Sequence, residues 1–305
     1  MSENLGPKQL KSLLKKTIPK HYPVLISGSP GQGKTDITLQ VVKELRSDII
    51  LTHPVVEDPT IPSGLPWISE DKKSATFLPF GALDKAMKAR ELTVWFLDDL
   101  GQASPATQAA YMQLLLSRSI NGHKIPDCIT FIAATNRKSD KFSGVSGILE
   151  PVKSRFYTSV ELSTKLDDWI DDFAIPNKVS PEFVAFLRFR PDLLSDFKPT
   201  ADMTNSPLPR TWYQASKLYQ LGLEPDLELP VLSGSIGPGA ATELVMFLRK
   251  YHLNLPNLDK ILEDPDKAEI PKETDILFAV VTGLANRSTI ENFGSISKYA
   301  FRLLN

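Results

Sequence analysis

Residues 24–35 form an apolar run that leads into a glycine-rich loop, and they read Val24-Leu25-Ile26-Ser27-Gly28-Ser29-Pro30-Gly31-Gln32-Gly33-Lys34-Thr35. Pro23 bounds the apolar run, which is short and rich in aliphatic residues, so it predicts a buried strand. After the loop, apolar residues recur at helical spacing, at Ile37, Val41 and Leu45. The sequence therefore predicts a strand, a tight loop and an amphipathic helix in direct succession.

The loop fits the phosphate-binding pattern G-x-x-x-x-G-K-[ST] at every fixed position. Glycines let backbone N–H groups close around phosphate oxygens, and the start of the helix adds a partial positive charge. In this pattern Lys34 contacts the β- and γ-phosphates, and the Thr35 hydroxyl binds Mg²⁺. A chance glycine-rich turn is disfavoured because a strand precedes the loop and a helix follows it. The predicted cradle for ATP consists of Gly28, Ser29, Pro30, Gly31, Gln32, Gly33, Lys34 and Thr35.

A second continuous apolar run, residues 93–97, ends at two adjacent carboxylates, Asp98 and Asp99. Unbroken apolar character is typical of a central parallel strand that is buried on both faces. Beside a phosphate loop, Asp98 at such a strand end would hold Mg²⁺. Asp99 would then polarise the attacking water. The alternative for this pair is an ordinary solvated strand end.

Three more polar residues are candidates for the same site. Asn136 follows a predicted buried strand at 129–134, where its amide would orient water or the γ-phosphate. Arg155 precedes a last predicted strand and would serve as an arginine finger from a neighbouring subunit. Arg210 opens a predicted helix and would reach the γ-phosphate from a second domain. Taken singly, each is equally typical of an ordinary loop or surface residue.

Hydrophobic periodicity predicts an α/β region followed by a helical region. In the first region we predict a helix at 7–17, strands at 48–52 and 156–162, an irregular proline-rich segment at 54–79, helices at 81–92 and 105–118, and a hairpin turning at Asn121-Gly122. Beyond residue 166 the strand signal ends. Predicted helices there lie at 167–173, 181–188, 210–221, 239–251, 272–284 and 289–304.

Composition limits the classes of protein that need to be considered. The 305 residues are 42% hydrophobic and 23% charged, as in globular proteins with a proper core. The net charge of −1 gives no support for broad attraction to nucleic acid, although a local basic patch is not excluded. No apolar run is long enough for a membrane span, and no signal peptide is predicted. A single cysteine, Cys128, fits a cytoplasmic protein, and its apolar surroundings favour a core position.

Together, the motifs resemble those of the AAA+ ATPases, and more closely those of the MoxR-like branch. The matching segments are Gly28 to Thr35 (Walker A), Trp95 to Asp99 (Walker B), Ala134-Thr135-Asn136 (sensor 1), Ser154-Arg155-Phe156 (arginine finger) and Leu208-Pro209-Arg210 (sensor 2). The hairpin at 119–126 and the segment at 54–79 are similar to two inserts of that branch. The resemblance covers roughly residues 23–221.

The resemblance implies a P-loop NTPase fold with a parallel-sheet AAA+ core over residues 1–175 and an all-helical lid with further helices over 176–305. It also implies a hexameric ring with Mg-ATP between neighbours, in which Asn136 and Arg210 act in cis and Arg155 acts in trans. The implied activity is chaperone-like remodelling or assembly of a protein client, often one with a von Willebrand A domain. The two inserts would meet that client.

One residue departs from the family pattern, because Asp99 stands where Glu is usual. A side chain one methylene shorter would hold water farther from the γ-phosphate, and small misplacements reduce rates strongly. A nucleotide-gated scaffold with little turnover therefore stays open beside a remodelling ATPase. A DNA-acting motor or loader is a separate alternative, against which the near-neutral charge argues. A small-molecule kinase is less favoured, since it would leave the late arginines and the helical domain without a role.

Overall fold

The computed structural model describes residues 4–68, 73–137, 147–198, 203–254, 256–271 and 273–303. The chain divides into two compact units, Met1–Thr164 and Lys165–Asn305. The first unit is α/β and the second is helical, which confirms the predicted fold class of a parallel-sheet core followed by a helical region. The division falls after Thr164 rather than at residue 175, because Trp169, Ile170 and Ala174 pack into the core of the helical unit.

The described residues of the first unit form nine strands. They are β1 (Val24–Ser27), β2 (Asp48–Thr52), β3 (Leu65–Ile68), β4 (Ala75–Leu78), β5 (Thr93–Leu97), β6 (Ser119–Ile120), β7 (His123–Lys124), β8 (Ile129–Thr135) and β9 (Thr158–Glu161). Five of them form a parallel sheet in the order β2-β5-β8-β1-β9. Every residue of β5 and β8 is buried, as their continuous apolar runs predict. Because the strands are parallel, their carboxyl ends meet at one edge of the sheet.

The helices of the first unit cover the two faces of this sheet. They are α1 (Pro7–Thr17), α2 (Lys34–Glu44), α3 (Thr60–Ser63), α4 (Gly81–Lys88), α5 (Pro105–Ser117) and α6 (Glu150–Lys153). Successive residues of a strand point to opposite faces. Accordingly, Phe96 of β5 packs in one cluster with Val41 of α2, and Trp95 packs in another with Tyr111 of α5. The ring centroids of Trp95 and Tyr111 lie 6.1 Å apart in an edge-on arrangement.

The prediction of an irregular segment at 54–79 was wrong, because this segment contains α3 and the antiparallel hairpin β3–β4. All residues of both hairpin strands are exposed, so neither face of the hairpin is buried. The sequence therefore lacks the alternation of apolar and polar residues that predicts a half-buried strand. The predicted hairpin at Asn121-Gly122 is confirmed as β6–β7. The two hairpins are joined by a hydrogen bond, since His123 Nε2 lies 2.6 Å from Phe77 O.

The predicted core position of Cys128 was wrong, because this residue is half-buried just before β8.

The second unit is built from helices that pack around two clusters of buried residues, of which the larger is rich in aromatic side chains. They are α7 (Leu166–Trp169), continued by a π-helical turn (Ile170–Ala174), α8 (Pro181–Phe189), α9 (Pro209–Tyr219), α10 (Pro225–Ile236), α11 (Pro238–Asn254), α12 (Leu258–Glu263), α13 (Thr274–Asn286) and α14 (Phe293–Leu303). Trp212 and Phe186 are buried in the larger cluster, with ring centroids 5.7 Å apart. Each of the predicted helices is present, although Lys272 and Leu304 lie outside the described residues. Helices α10 and α12 were not predicted.

Within the described residues, no helix combines the length and the apolar character that crossing a membrane requires.

Candidate functional site

The loop between β1 and α2 lies at the carboxyl edge of the sheet, and two of its glycines are required by its shape. Gly33 has φ +92°, a backbone conformation that side chains with a Cβ disfavour. At Gly28, a Cβ would lie 2.9 Å from the carbonyl oxygen of Leu162. Because that oxygen belongs to the backbone of the chain after β9, a larger residue at Gly28 would have to displace the loop or the strand end.

Lys34 is buried, with 7% of its surface exposed, and its ammonium group joins the loop to the end of β8. Nζ donates hydrogen bonds to the carbonyl oxygens of Gly28 at 2.8 Å and Ser29 at 3.0 Å. It also donates to Oδ1 of Asn136 at 3.0 Å. The structure therefore brings two of the predicted site residues, Lys34 and Asn136, into direct contact.

Thr35 and Asp98 form a second contact between predicted site residues. Thr35 Oγ1 donates to Asp98 Oδ2 at 2.8 Å, and the other carboxylate oxygen accepts from the backbone N–H of Asp99 at 3.1 Å. Asp98 is 8% exposed. A hydroxyl and a carboxylate side by side are oxygen ligands of the kind that Mg²⁺ prefers, with phosphate oxygens and water completing the shell. In the described part of the chain, no group of three or more His, Cys, Asp or Glu residues is placed to hold a metal ion.

Asp99 begins the turn after β5 in the left-handed backbone conformation, with φ +58° and ψ +33°. Its Oδ1 accepts a hydrogen bond from Nε2 of Gln102 at 2.9 Å. Burial raises the pKa of Asp99 above its ordinary value, the neighbouring charge of Asp98 raises it further, and the charge of Lys34 opposes both. A carboxylate with a raised pKa holds a proton more readily, which suits a general base.

Gln102 connects Asp99 to the end of β8, a role that no sequence pattern indicates. Its Oε1 lies 3.4 Å from Thr135 Oγ1, the residue before Asn136. This close approach depends on Gly101, where an added Cβ would lie only 2.2 Å from Thr135 Oγ1. Glutamine in a turn carries no motif, so sequence reasoning had no signal with which to find it.

Arg137 is a second residue that sequence reasoning missed. Its guanidinium forms an ion pair with Glu161 at the end of β9, with Nη1 at 3.0 Å from Oε1. The other terminal nitrogen, Nη2, donates to the hydroxyl of Ser29 in the phosphate loop. Arg137 thus spans the ends of β8 and β9 across the loop that follows β1.

The two predicted arginines lie outside these contacts. Arg155 follows α6 and donates to Ser154 Oγ at 3.1 Å, while its Nε is buried without a hydrogen-bond partner among the described residues. Arg210 is exposed in the first turn of α9, in the second unit. Their assignment to a γ-phosphate therefore stays a prediction.

The parallel sheet order, the glycine-rich loop after β1, the carboxylates after β5 and the polar residue after β8 define a parallel-sheet P-loop NTPase fold. No protein-family model and no curated protein matches the chain.

Solved structures with a similar chain path include two of RuvB from Thermotoga maritima. A RuvB mutant aligns at 17% identity over 86% of this chain and 75% of its own, with a TM-score of 0.47. The RuvB Holliday junction branch migration motor aligns at 16% identity over 97% of this chain and 86% of its own, with a TM-score of 0.45.

NtrX from Brucella abortus in complex with ATP aligns at 14% identity over 98% of this chain and 68% of its own, with a TM-score of 0.45. At these identities and TM-scores we draw no functional argument from these neighbours.

Proposed function

We propose that this protein is a Mg-ATP-dependent AAA+ ATPase. The observation that carries the proposal is the pair of contacts at the sheet edge, Lys34 to Asn136 and Thr35 to Asp98. Three separate motifs of the sequence meet there within hydrogen-bond distance. Such convergence of a phosphate-binding lysine, a hydroxyl, a carboxylate and an amide is what phosphoryl transfer requires.

In this proposal the chain's own residues bind and orient the triphosphate. Backbone N–H groups of residues 28–35 cradle the phosphates, and Lys34 neutralises charge on the β- and γ-phosphates. Thr35 and Asp98 would hold Mg²⁺, which when bound neutralises charge on the phosphate oxygens. Asn136, already within reach of Lys34, would orient the γ-phosphate or the attacking water.

Asp99 is the proposed general base. Its raised pKa favours uptake of a proton from water, and the hydrogen bond from Gln102 holds its carboxylate in place. The left-handed backbone at Asp99 alters the direction in which the short side chain leaves the strand end. We propose that this conformation compensates in part for the methylene that Asp lacks relative to Glu.

We further propose a MoxR-like, ring-forming mode of action, with Arg155 completing the neighbouring subunit's site and Arg210 acting from a lid within residues 176–305. The partially unsatisfied guanidinium of Arg155 is compatible with a further ligand. The client would be a protein, in the MoxR-like case often one with a von Willebrand A domain. The exposed hairpin β3–β4, with Trp67 at 59% and Ile68 at 66% exposure, supports a protein-binding role.

The test is a steady-state ATPase assay with Mg²⁺, combined with sedimentation of the protein with and without a non-hydrolysable ATP analogue. We expect turnover that Lys34→Ala abolishes, and a nucleotide-stabilised oligomer. Substitution of Lys88, in an exposed ion pair on α4, provides a control that should leave both unchanged. Full-speed turnover by a strictly monomeric protein would contradict the ring. The client would be sought by co-purification with the products of neighbouring genes.

A nucleotide-gated scaffold is the second candidate, favoured by one observation, the aspartate in place of glutamate at residue 99. In that case ATP would fix the assembly and turnover would be nearly absent, and Asp99→Glu would raise the rate. A DNA-acting motor has no comparable support, because the net charge is −1. ATPase stimulation by DNA, or binding to DNA that weakens with salt, would favour the motor instead.

A further inference from the structure

We propose that Arg137 is a nucleotide-sensing residue, which exchanges its ion pair with Glu161 for the γ-phosphate when ATP binds. This inference rests on the proposed binding of ATP at the phosphate loop. It assigns a role to a residue that is not part of any motif in the sequence.

The position of Arg137 places its charge against the phosphate cradle. Nη2 donates to the hydroxyl of Ser29, and the carbonyl oxygen of the same Ser29 accepts from Lys34 Nζ at 3.0 Å. Arg137 also directly follows Asn136, whose amide oxygen accepts from Lys34 at 3.0 Å. Arg137 and Lys34 therefore share Ser29 as a hydrogen-bond partner, and Lys34 also contacts the residue that precedes Arg137 in the chain. The guanidinium thus lies close to the ammonium that would contact the β- and γ-phosphates.

Arg137 forms an ion pair with the carboxylate of Glu161. Its Nη1 lies 3.0 Å from Glu161 Oε1, and the side chains of the two residues are 37% and 27% exposed. An ion pair with this degree of exposure is weak, because water screens its charges. A γ-phosphate carries more negative charge than one carboxylate and presents several acceptor oxygens. It would therefore compete effectively for the guanidinium, which favours planar, bidentate contacts with phosphate.

The exchange would change the contacts at the end of β9. When Arg137 turns to phosphate, Glu161 loses its partner at the end of the strand that pairs with β1. The next residues of the chain, Leu162 and Thr164, contact the loop directly: Leu162 O lies against Gly28, and the Thr164 N–H donates to Gln32 Oε1 at 3.0 Å. Loss of the γ-phosphate would restore the ion pair, so this edge of the site would distinguish ATP from ADP.

Two substitutions distinguish sensing from a purely structural role, because they should act in opposite directions. The full-length protein is titrated with Mg²⁺ and either ADP or a non-hydrolysable ATP analogue. Arg137→Ala should weaken binding of the analogue about tenfold relative to ADP, the equivalent of one charge-assisted hydrogen bond. Glu161→Gln frees Arg137 from its competitor, so it should tighten binding of the analogue relative to ADP, by about threefold.

Arg137→Lys keeps the charge without the bidentate geometry and should fall between wild type and Arg137→Ala. Lys88→Ala, which removes an exposed ion pair with Asp84 on α4, is the control and should leave both affinities unchanged.

Sensing would be contradicted if Arg137→Ala and Glu161→Gln weakened both nucleotides by the same factor, which would mean that the pair only holds the loop. An unchanged preference between the analogue and ADP in both variants would contradict it equally. If the wild-type protein bound neither nucleotide, the proposed function itself would be wrong.

Discussion

Thr35 Oγ1 lies 2.8 Å from Asp98 Oδ2, although 63 positions separate the two residues in sequence. The contact exists because β1 and β5 both lie next to β8, so the chain segments that follow them emerge at the same edge of the sheet. It joins a helix N-terminus to a buried carboxylate, and Lys34 makes the equivalent connection to Asn136 after β8. Hydrogen bonds thus connect the end of the phosphate loop and the start of α2 to the ends of β5 and β8.

The role of Asp99 is tested by its amide variant. Asp99→Asn should bind the non-hydrolysable ATP analogue with unchanged affinity and lose turnover, by about 10²–10⁴-fold, because an amide cannot accept the proton of water. The measurement is steady-state ATPase activity at saturating Mg-ATP. Asp84→Asn, which alters an exposed ion pair, is the control. Turnover at the wild-type rate would remove Asp99 as the base.

The pH dependence of thermal stability in Asp99→Asn tests the raised pKa of Asp99. Because the folded state raises this pKa, the folded protein binds the proton more tightly than the unfolded chain does. The contribution of protonated Asp99 to the free energy of unfolding is therefore fully present below the pKa of the unfolded chain, about 3.9. It is lost as the pH rises through the higher pKa of the folded protein. Asn does not ionise, so Asp99→Asn should raise Tm at pH 8 and change it little at pH 3.5, without nucleotide. Equal shifts in Tm at both pH values would contradict the raised pKa.

Gly28→Ala tests the close approach of the phosphate loop to the chain after β9. Its added Cβ would lie 2.9 Å from Leu162 O, so we expect destabilisation of about 1–3 kcal/mol in urea unfolding and weaker nucleotide binding. The matched control is Gly234→Ala in α10, where the added Cβ meets no atom within 4 Å. That control should stabilise the protein by up to about 1 kcal/mol, since Ala favours helices. Equal effects of the two substitutions would show that the contact is unimportant.

Arg155 is tested by mixing two inactive proteins. An Arg155→Ala subunit keeps a complete phosphate loop, and a Lys34→Ala subunit keeps the arginine. If Arg155 acts in trans, mixed rings contain some complete sites, and ATPase activity should return on mixing. Each variant assayed alone gives the baseline. If mixed rings form and no activity returns, Arg155 does not complete a neighbour's site.

Much of the sheet could be predicted from the sequence, because short continuous apolar runs such as 93–97 and 129–134 are typical of buried parallel strands. Helix α1 and strand β2 match their predicted bounds, Pro7–Thr17 and Asp48–Thr52. The N-cap of α5 was also predictable, and Ser104 Oγ accepts from the N–H of Thr107 at 3.1 Å.

Helix α10 could not be predicted, because Pro230 and Gly234 lie inside it and both disfavour helices. Packing of buried Leu232 and Ile236 into the core overrides that local preference.

Within the site, sequence identified the residues that belong to motifs and missed those that act through contact alone. Lys34, Thr35, Asp98 and Asn136 have fixed positions relative to strands or glycines, so spacing indicates them. Gln102 is recognised only when the strand order places β5 beside β8, and Arg137 only when it places β8 and β9 on either side of β1. No local sequence pattern indicates which strands are adjacent in the sheet.

The proposed ATPase activity requires that Mg-ATP binds at the loop between β1 and α2. The most direct measurement is calorimetric titration of the protein with a non-hydrolysable ATP analogue and Mg²⁺, comparing wild type, Lys34→Ala and the control Lys88→Ala, which alters an exposed ion pair on α4. We predict one saturable site in wild type and in the control, and a loss of affinity of at least about a hundredfold in Lys34→Ala, which removes a buried charged partner of the phosphates. Equal affinity in wild type and a folded Lys34→Ala variant would contradict the account.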